Sequence, residues 1–148
     1  HPAKPGQAVV IHAAGGWFGF DMTILVTGSA GHLGEAIVRT LRGGGSPARG
    51  IDLKPSLFSD AVGSIIDPDF VRRQMAGVTA VIHTATLHKP HVATHSKQDF
   101  IDTNVTGTLN LLEAAVAAGV RSFVFTSTTS AFGSQLRPEA GQAAVWVT

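Results

Sequence analysis

The 148-residue sequence predicts an α/β fold, a parallel and doubly wound sheet with helices on both faces. Three observations predict it. Short β-branched strands alternate with longer segments of helical period along most of the chain. The first strand runs straight into a glycine-rich turn that opens a helix, Thr27-Gly28-Ser29-Ala30-Gly31-His32-Leu33-Gly34. The second strand-like run ends in a carboxylate, Asp52. Right-handed crossovers then follow, and ligands are expected beyond the carboxyl ends of the strands.

The elements are expected in this order. Residues 1–21 stand outside the fold, because Met22 falls directly before the first strand. The apolar stretch 8–14 is interrupted by His12 and has no small-residue cleavage site, so it does not read as a secretory signal. Residues 8–12 could instead add a strand to an open sheet edge. The first strand covers Ile24, Leu25 and Val26, and a helix over 32–41 carries Leu33, Ile37 and Leu41, widened by Ala36 and Val38. Gly43, Gly44 and Gly45 end that helix, and Pro47 blocks its continuation. A second strand is expected at 48–52 and a third at 62–66. Asp67-Pro68 supplies an N-cap and a first-turn proline for a helix bearing Phe70, Val71 and Met75, closed by Gly77. The fourth strand is expected at 80–84. A helix over 104–118, patterned by Val105, Leu109, Leu112 and Val116 and stopped by Gly119, leads to a fifth strand at 122–127. The domain is taken as 22–148.

The glycine spacing answers three needs of dinucleotide binding. Gly28 permits the turn off the strand, Gly31 lets backbone approach a pyrophosphate, and Gly34 lets the helix lie close on the sheet. Helix N-terminal amides and the macrodipole then favour the diphosphate. Asp52 follows Gly34 by 18 residues, where a carboxylate meets the adenosine ribose hydroxyls. A negative charge there selects NAD over NADP, with Lys54 as a countervailing cation. Four clusters share the expected ligand rim: 28–34, Asp52, 83–86 and 126–130.

Composition narrows the classes. Eleven basic residues against ten acidic ones give no single-sign field for nucleic acid or a membrane surface. No run reaches the roughly 20 apolar residues of a membrane span. The absence of cysteine removes disulfide and thiolate chemistry and fits a reducing cytoplasm. His88, His91 and His95 have a spacing that could suggest metal ligands. Pro90 breaks the backbone beneath them and no carboxylate completes a set, so a polar rim loop is expected and no metal. His83 is expected to cap or pack at a strand end, with a substitute base as the sharper alternative.

The pieces Thr27–Gly34, His83-Thr84-Ala85-Thr86, the run from Asn104 to Ala115 and Thr126-Ser127-Thr128-Thr129-Ser130-Ala131-Phe132-Gly133 together resemble the extended short-chain dehydrogenase/reductases. These are Rossmann-type nucleotide-sugar epimerases and dehydratases. The resemblance covers about 22–148. It implies that Gly28, Gly31, His32 and Leu33 contact the pyrophosphate and Asp52 the adenosine ribose. Ser64 and Ile65 stand where the family has Asp-Ile beside the adenine, so Ser64 is a departure. Ala85 and Thr86 would line the path to the nicotinamide ribose, and Asn104 would brace active-site backbone. Thr128 aligns with the catalytic Ser/Thr on the substrate hydroxyl. Phe132 replaces a tyrosine common in relatives.

The family's Tyr-x-x-x-Lys pair belongs on the helix after the fifth strand. The chain has no tyrosine and reaches Thr148 before that helix, so it reads as truncated after about the fifth strand. The phenol is the proton shuttle of this chemistry. The resemblance therefore implies the NAD(P)-binding portion of an oxidoreductase acting on a nucleotide sugar or a similar hydroxyl or keto substrate, inactive alone. The alternative is a catalytically inactive dinucleotide-binding or interaction module. An open edge at the fifth strand, or helix 104–118, is expected to pair with another copy.

Overall fold

Five short apolar strands hydrogen-bond side by side in the order β3-β2-β1-β4-β5, every pair parallel. The computed structural model describes residues 22–128 and Gly141. The expectations for 1–21, for a strand at 8–12, and for Ser130 and Phe132 lie outside the described residues. The strands are β1 (Thr23–Thr27), β2 (Ala48–Asp52), β3 (Ala61–Val62), β4 (Val78–His83) and β5 (Ser122–Phe125). The helices are α1 (His32–Gly43), α2 (Pro68–Gln74), α3 (Lys97–Ile101) and α4 (Gly107–Ala117). A 3-10 turn spans Lys89–Ala93, and one π-helical turn, Asp102–Thr106, joins α3 to α4.

Strand side chains alternate between the two faces. Leu25, Ile51 and Val81 lie on the face covered by α2 and α4, in a core with Phe70, Val71, Met75, Leu111, Ala114 and Ala115. Val26 points to the opposite face, and Val38 of α1 is fully buried outside that core. Each wholly buried aliphatic side chain contributes about 1.5–3 kcal/mol. Asp67 caps α2 as expected, its carboxylate accepting the Asp69 and Phe70 amides at 2.9 and 3.2 Å with Pro68 in the first turn.

Four expectations are corrected. The third strand is two residues long rather than 62–66. The Gly63 amide donates to Asp52 O, the Ser64 hydroxyl accepts the Ile66 amide at 3.1 Å, and the chain turns there into the cap of α2. The helix expected over 104–118 starts further back, at Ser96, whose hydroxyl accepts the Asp99 amide while Asp99 accepts the Ser96 amide. Its inner face is also different. Val105, Leu109, Leu112 and Val116 are exposed, whereas Gly107, Leu111, Ala114 and Ala115 are buried. Small residues let the helix approach the sheet closely, and the bulky stripe turns outward. On α1, likewise, Leu33 is 48 % exposed, and Gly34 and Val38 form the buried line.

Candidate dinucleotide site

The strand register gathers the expected clusters at one edge. Thr27, His83 and Phe125 align in one row with Ile51, and Asp52 stands one residue beyond. Past Thr27 the backbone reverses at Gly28, which sits at φ +75 and donates its amide to Ile51 O at 2.9 Å. A Cβ on Gly28 would lie 2.7 Å from Thr84 Oγ1 and 2.8 Å from Ala85 N, so the turn abuts the β4 rim. A Cβ on Gly34 would lie 2.0 Å from Gly28 O. Glycine there is what allows α1 to start against the turn it leaves. Gly31 N-caps α1 with no side-chain hydrogen bond. The first amides of a helix have no intrahelical partner, and here they border exposed His32 and Leu33.

Asp52 faces that turn. Its Oδ2 accepts the Ala30 amide at 3.0 Å and its Oδ1 accepts the Lys54 amide at 2.9 Å. Each oxygen keeps a further acceptor site for a hydroxyl. Ser29, fully buried beneath the turn, pairs with Ser59 at 2.8 Å. Asp60 closes the same loop, accepting the Gly50 amide at 2.7 Å and the Arg42 guanidinium at 2.5 Å.

α4 and the π turn before it carry the other two rim segments. Ile65 is buried in the core against Gly107, where an added Cβ would lie 2.6 Å from Ile65 Cγ1. Asn110 Nδ2 donates to Ile65 O and Ile66 O at 3.0 and 2.9 Å. Ile65 thus supports the segment bearing half-buried Ser64, and its own side chain is turned inward. Asn104 holds Leu87 from both sides. Its Oδ1 accepts the Leu87 amide and its Nδ2 donates to Leu87 O, each at 2.8 Å. Thr86 Oγ1 donates to the same Oδ1 at 3.0 Å. The side chain of Asn104 is committed to this loop, which makes it a brace.

His83 is buried at the end of β4, between Thr27 Oγ1 at 2.7 Å and Thr108 Oγ1 at 3.0 Å. Burial lowers its pKa from 6.5 to about 4, so the ring is neutral at pH 7. A cavity of about 20 Å³ lies beside it, lined in part by Thr84, Ala85, Asn104, Thr108 and Thr126, with room for about one water. Thr128 is exposed two residues past Thr126. The rings of His88, His91 and His95 stack edge to face at centroid separations of 4.6 and 5.5 Å. Among the described residues no group of three or more His, Cys, Asp or Glu could hold a metal ion. No described helix is long and apolar enough to cross a membrane.

Sequence reasoning missed Thr27, Thr108 and Asn110. Thr108 and Asn110 carried a signal: they follow Asn104 and Gly107 at helical spacings of four and three. Thr27 carried none beyond preceding the glycine. The residues fit a dinucleotide, since the cradle is shaped where side chains would intrude and a carboxylate faces it.

Known proteins agree with this geometry. Residues 24–144 match the profile of the NAD dependent epimerase/dehydratase family. A short-chain dehydrogenase/reductase superfamily protein from Agrobacterium tumefaciens, solved with bound NAD, superposes with a TM-score of 0.70 at 41 % identity, over 79 % of this chain and 35 % of that one. UDP-glucose 4-epimerase from Thermotoga maritima, solved with UDP-glucose, gives a TM-score of 0.68 at 28 % identity over 74 % of this chain and 39 % of that one. A 3 beta-hydroxysteroid dehydrogenase/Delta 5-->4-isomerase from Mycobacterium tuberculosis is 36 % identical over 72 % of this chain and 32 % of its own length. The chain spans about a third of the length of the curated relatives it matches. On the profile match, the parallel five-stranded sheet and the glycine turn together, the chain belongs to the NAD-dependent epimerase/dehydratase family.

Proposed function

We propose that residues 22–148 form the NAD-holding part of an oxidoreductase that interconverts hydroxyl and keto groups on a nucleotide sugar or a like substrate. The observation that carries the reading is the Asp52 carboxylate 3.0 Å from the Ala30 amide, on the same edge as the uncapped start of α1. Gly28, Gly31, His32 and Leu33 border the pyrophosphate, and Asp52 accepts the adenosine ribose hydroxyls. Ser64, backed by Ile65, flanks the adenine. Ala85 and Thr86, braced by Asn104, border the nicotinamide ribose, and Thr128 meets the substrate hydroxyl. NAD, when bound, supplies the hydride acceptor. NAD is favoured over NADP because a 2′-phosphate would meet the Asp52 charge. A reducing, cytoplasmic setting accords with a chain free of cysteine.

Relatives named for UDP-glucose and for a hydroxysteroid support a hydroxyl-bearing substrate. A second reading, a dinucleotide-binding or interaction module without turnover, rests on the same glycine turn and carboxylate, which would hold a dinucleotide without transferring hydride. Calorimetric titration of the chain with NAD and NADP tests both. Binding of NAD, weaker binding of NADP, and weakening by Asp52→Asn are expected. No heat with either nucleotide would refute the proposal. Hydride transfer by the chain alone would refute the assignment of the proton shuttle to a tyrosine.

The outward stripe Ile101, Val105, Leu109, Leu112 and Val116 supports a homo-oligomer paired through α4. The alternative surface is the edge of β5, which among the described residues pairs only with β4 and leaves Val124 and Phe125 exposed.

A further inference from the structure

The carboxyl end of β4 holds a buried titratable ring that the binding roles above do not use. His83 is 2 % exposed. Thr27 faces it from β1, Thr108 from α4, and Phe123 and Phe125 from β5 at centroid distances of 6.2 and 5.6 Å. None of these four is charged or titratable, so among the described residues the ring nitrogens meet only hydroxyls.

The direction of each hydrogen bond follows from counting protons. Thr27 Oγ1 accepts the amides of Thr84 and Ala85, both at 3.2 Å. With both lone pairs taken, its one proton must go to His83 Nδ1 at 2.7 Å. Nδ1 is then an acceptor, and the neutral ring carries its proton on Nε2. That proton is donated to Thr108 Oγ1 at 3.0 Å, and Thr108 in turn donates to Asn104 O at 2.8 Å. Every bond from the Thr84 and Ala85 amides to the π turn therefore points the same way. Asn104 also grips Leu87 by its side chain, so segment 84–87 is held at both ends by one circuit.

We infer that His83 is a positioning residue: as the Nε2–H tautomer it couples β1 to α4 and keeps rim segment 84–87 in register with the glycine turn. The depressed pKa supports a ring that stays neutral at pH 7. A second proton, on Nδ1, would turn the acceptor of the Thr27 proton into a donor and reverse the circuit at its midpoint. The effect on a ligand rests on the dinucleotide reading, whereas the circuit itself does not.

The test uses the 148-residue chain labelled with 15N. Long-range proton–nitrogen correlation of the imidazole gives the tautomer, and amide exchange is followed at Thr84 and Ala85. An Nε2–H ring at pH 7 is expected in the wild type. The variant Thr108→Val removes a hydroxyl that touches neither amide. It is nevertheless expected to speed exchange at both by roughly five-fold or more, the worth of one net hydrogen bond. An Nδ1–H or charged ring in the wild type overturns the inference. So does unchanged exchange at the two amides in a folded Thr108→Val. Should that variant not fold, the wild-type tautomer decides alone. Failure of the wild type to bind NAD, with tautomer and exchange as expected, would remove the dinucleotide reading and leave this one standing.

Discussion

Asp52 and Ala30, 22 positions apart, meet through a 3.0 Å hydrogen bond from the Ala30 amide to the Asp52 carboxylate. The end of β2 is thereby tied to the turn after β1. The carboxylate serves the fold, and the ligand role proposed for it can be separated from that by experiment.

Asp52→Asn keeps an acceptor for one of the two amides and removes the charge. Unfolding should shift by about 1 kcal/mol, while NAD affinity should fall by roughly ten-fold or more, since hydrogen bonds to charged groups contribute about 1.5–3 kcal/mol. The NADP:NAD preference should move toward NADP. Calorimetric titration beside thermal melting checks both. An unchanged preference would show that Asp52 does not face the ribose.

Three glycine-to-alanine changes should separate sharply. Gly34→Ala puts a methyl 2.0 Å from the Gly28 carbonyl, which is backbone and cannot yield, so the turn must open and ligand binding be lost. Gly107→Ala places a methyl 2.6 Å from Ile65 Cγ1 and should cost about 1–3 kcal/mol of overpacking, less what helix propensity returns. At Gly43, the last residue of α1, an added Cβ meets nothing within 4 Å, and alanine should be neutral or stabilising by up to about 1 kcal/mol. Denaturant melts of the three variants give the ranking.

The legibility of the sequence follows the range of the forces. The glycine turn and the Asp67 cap were readable because each is imposed by backbone needs within a few residues, and Asp52 because it ends the strand that follows the turn at a characteristic distance. The inner face of α4 was not. Both its faces are apolar, and periodicity cannot show that the small side, Gly107, Ala114 and Ala115, goes inward. The site was readable as a set of positions on one edge, but not in its connections. His83 finds partners 56 and 25 positions away, and Ile65 turned out to prop the rim from within the core.

Stability should depend on pH through His83. Its folded pKa of about 4 lies below the ordinary 6.5, so between those values the unfolded chain takes up a proton that the folded chain refuses. Stability from this residue is complete above about pH 6.5, declines as pH falls toward 4, and levels off below. The full difference corresponds to about 3 kcal/mol. The melting curve of His83→Asn should lack this part of the pH dependence. A wild type and variant that change in parallel from pH 7 to 4 would contradict the assignment.

Leu109→Glu places a charge in the centre of the outward stripe of α4, at a side chain 52 % exposed in the single chain. Little loss of folding stability is expected, and dissociation of any dimer is expected in sedimentation velocity. A dimer that persists would point to the β5 edge, and Val124→Lys would then be the disrupting change.

The wide turn at Asp102–Thr106 makes the spacing between Asn104 and Thr108 a matter of residue count as well as residue type. Val105 buries little and is chemically replaceable, yet it counts toward the turn, in which the Gly107 amide reaches back five residues to Asp102 O instead of four. Excising it would return the turn to α-helical winding and bring Thr108 one position nearer to Asn104, altering the spacing at which Asn104 clasps Leu87 and Thr108 reaches His83. In this segment a substitution is a local event, whereas the loss of one residue would disturb the support of rim segment 84–87 through both Leu87 and His83.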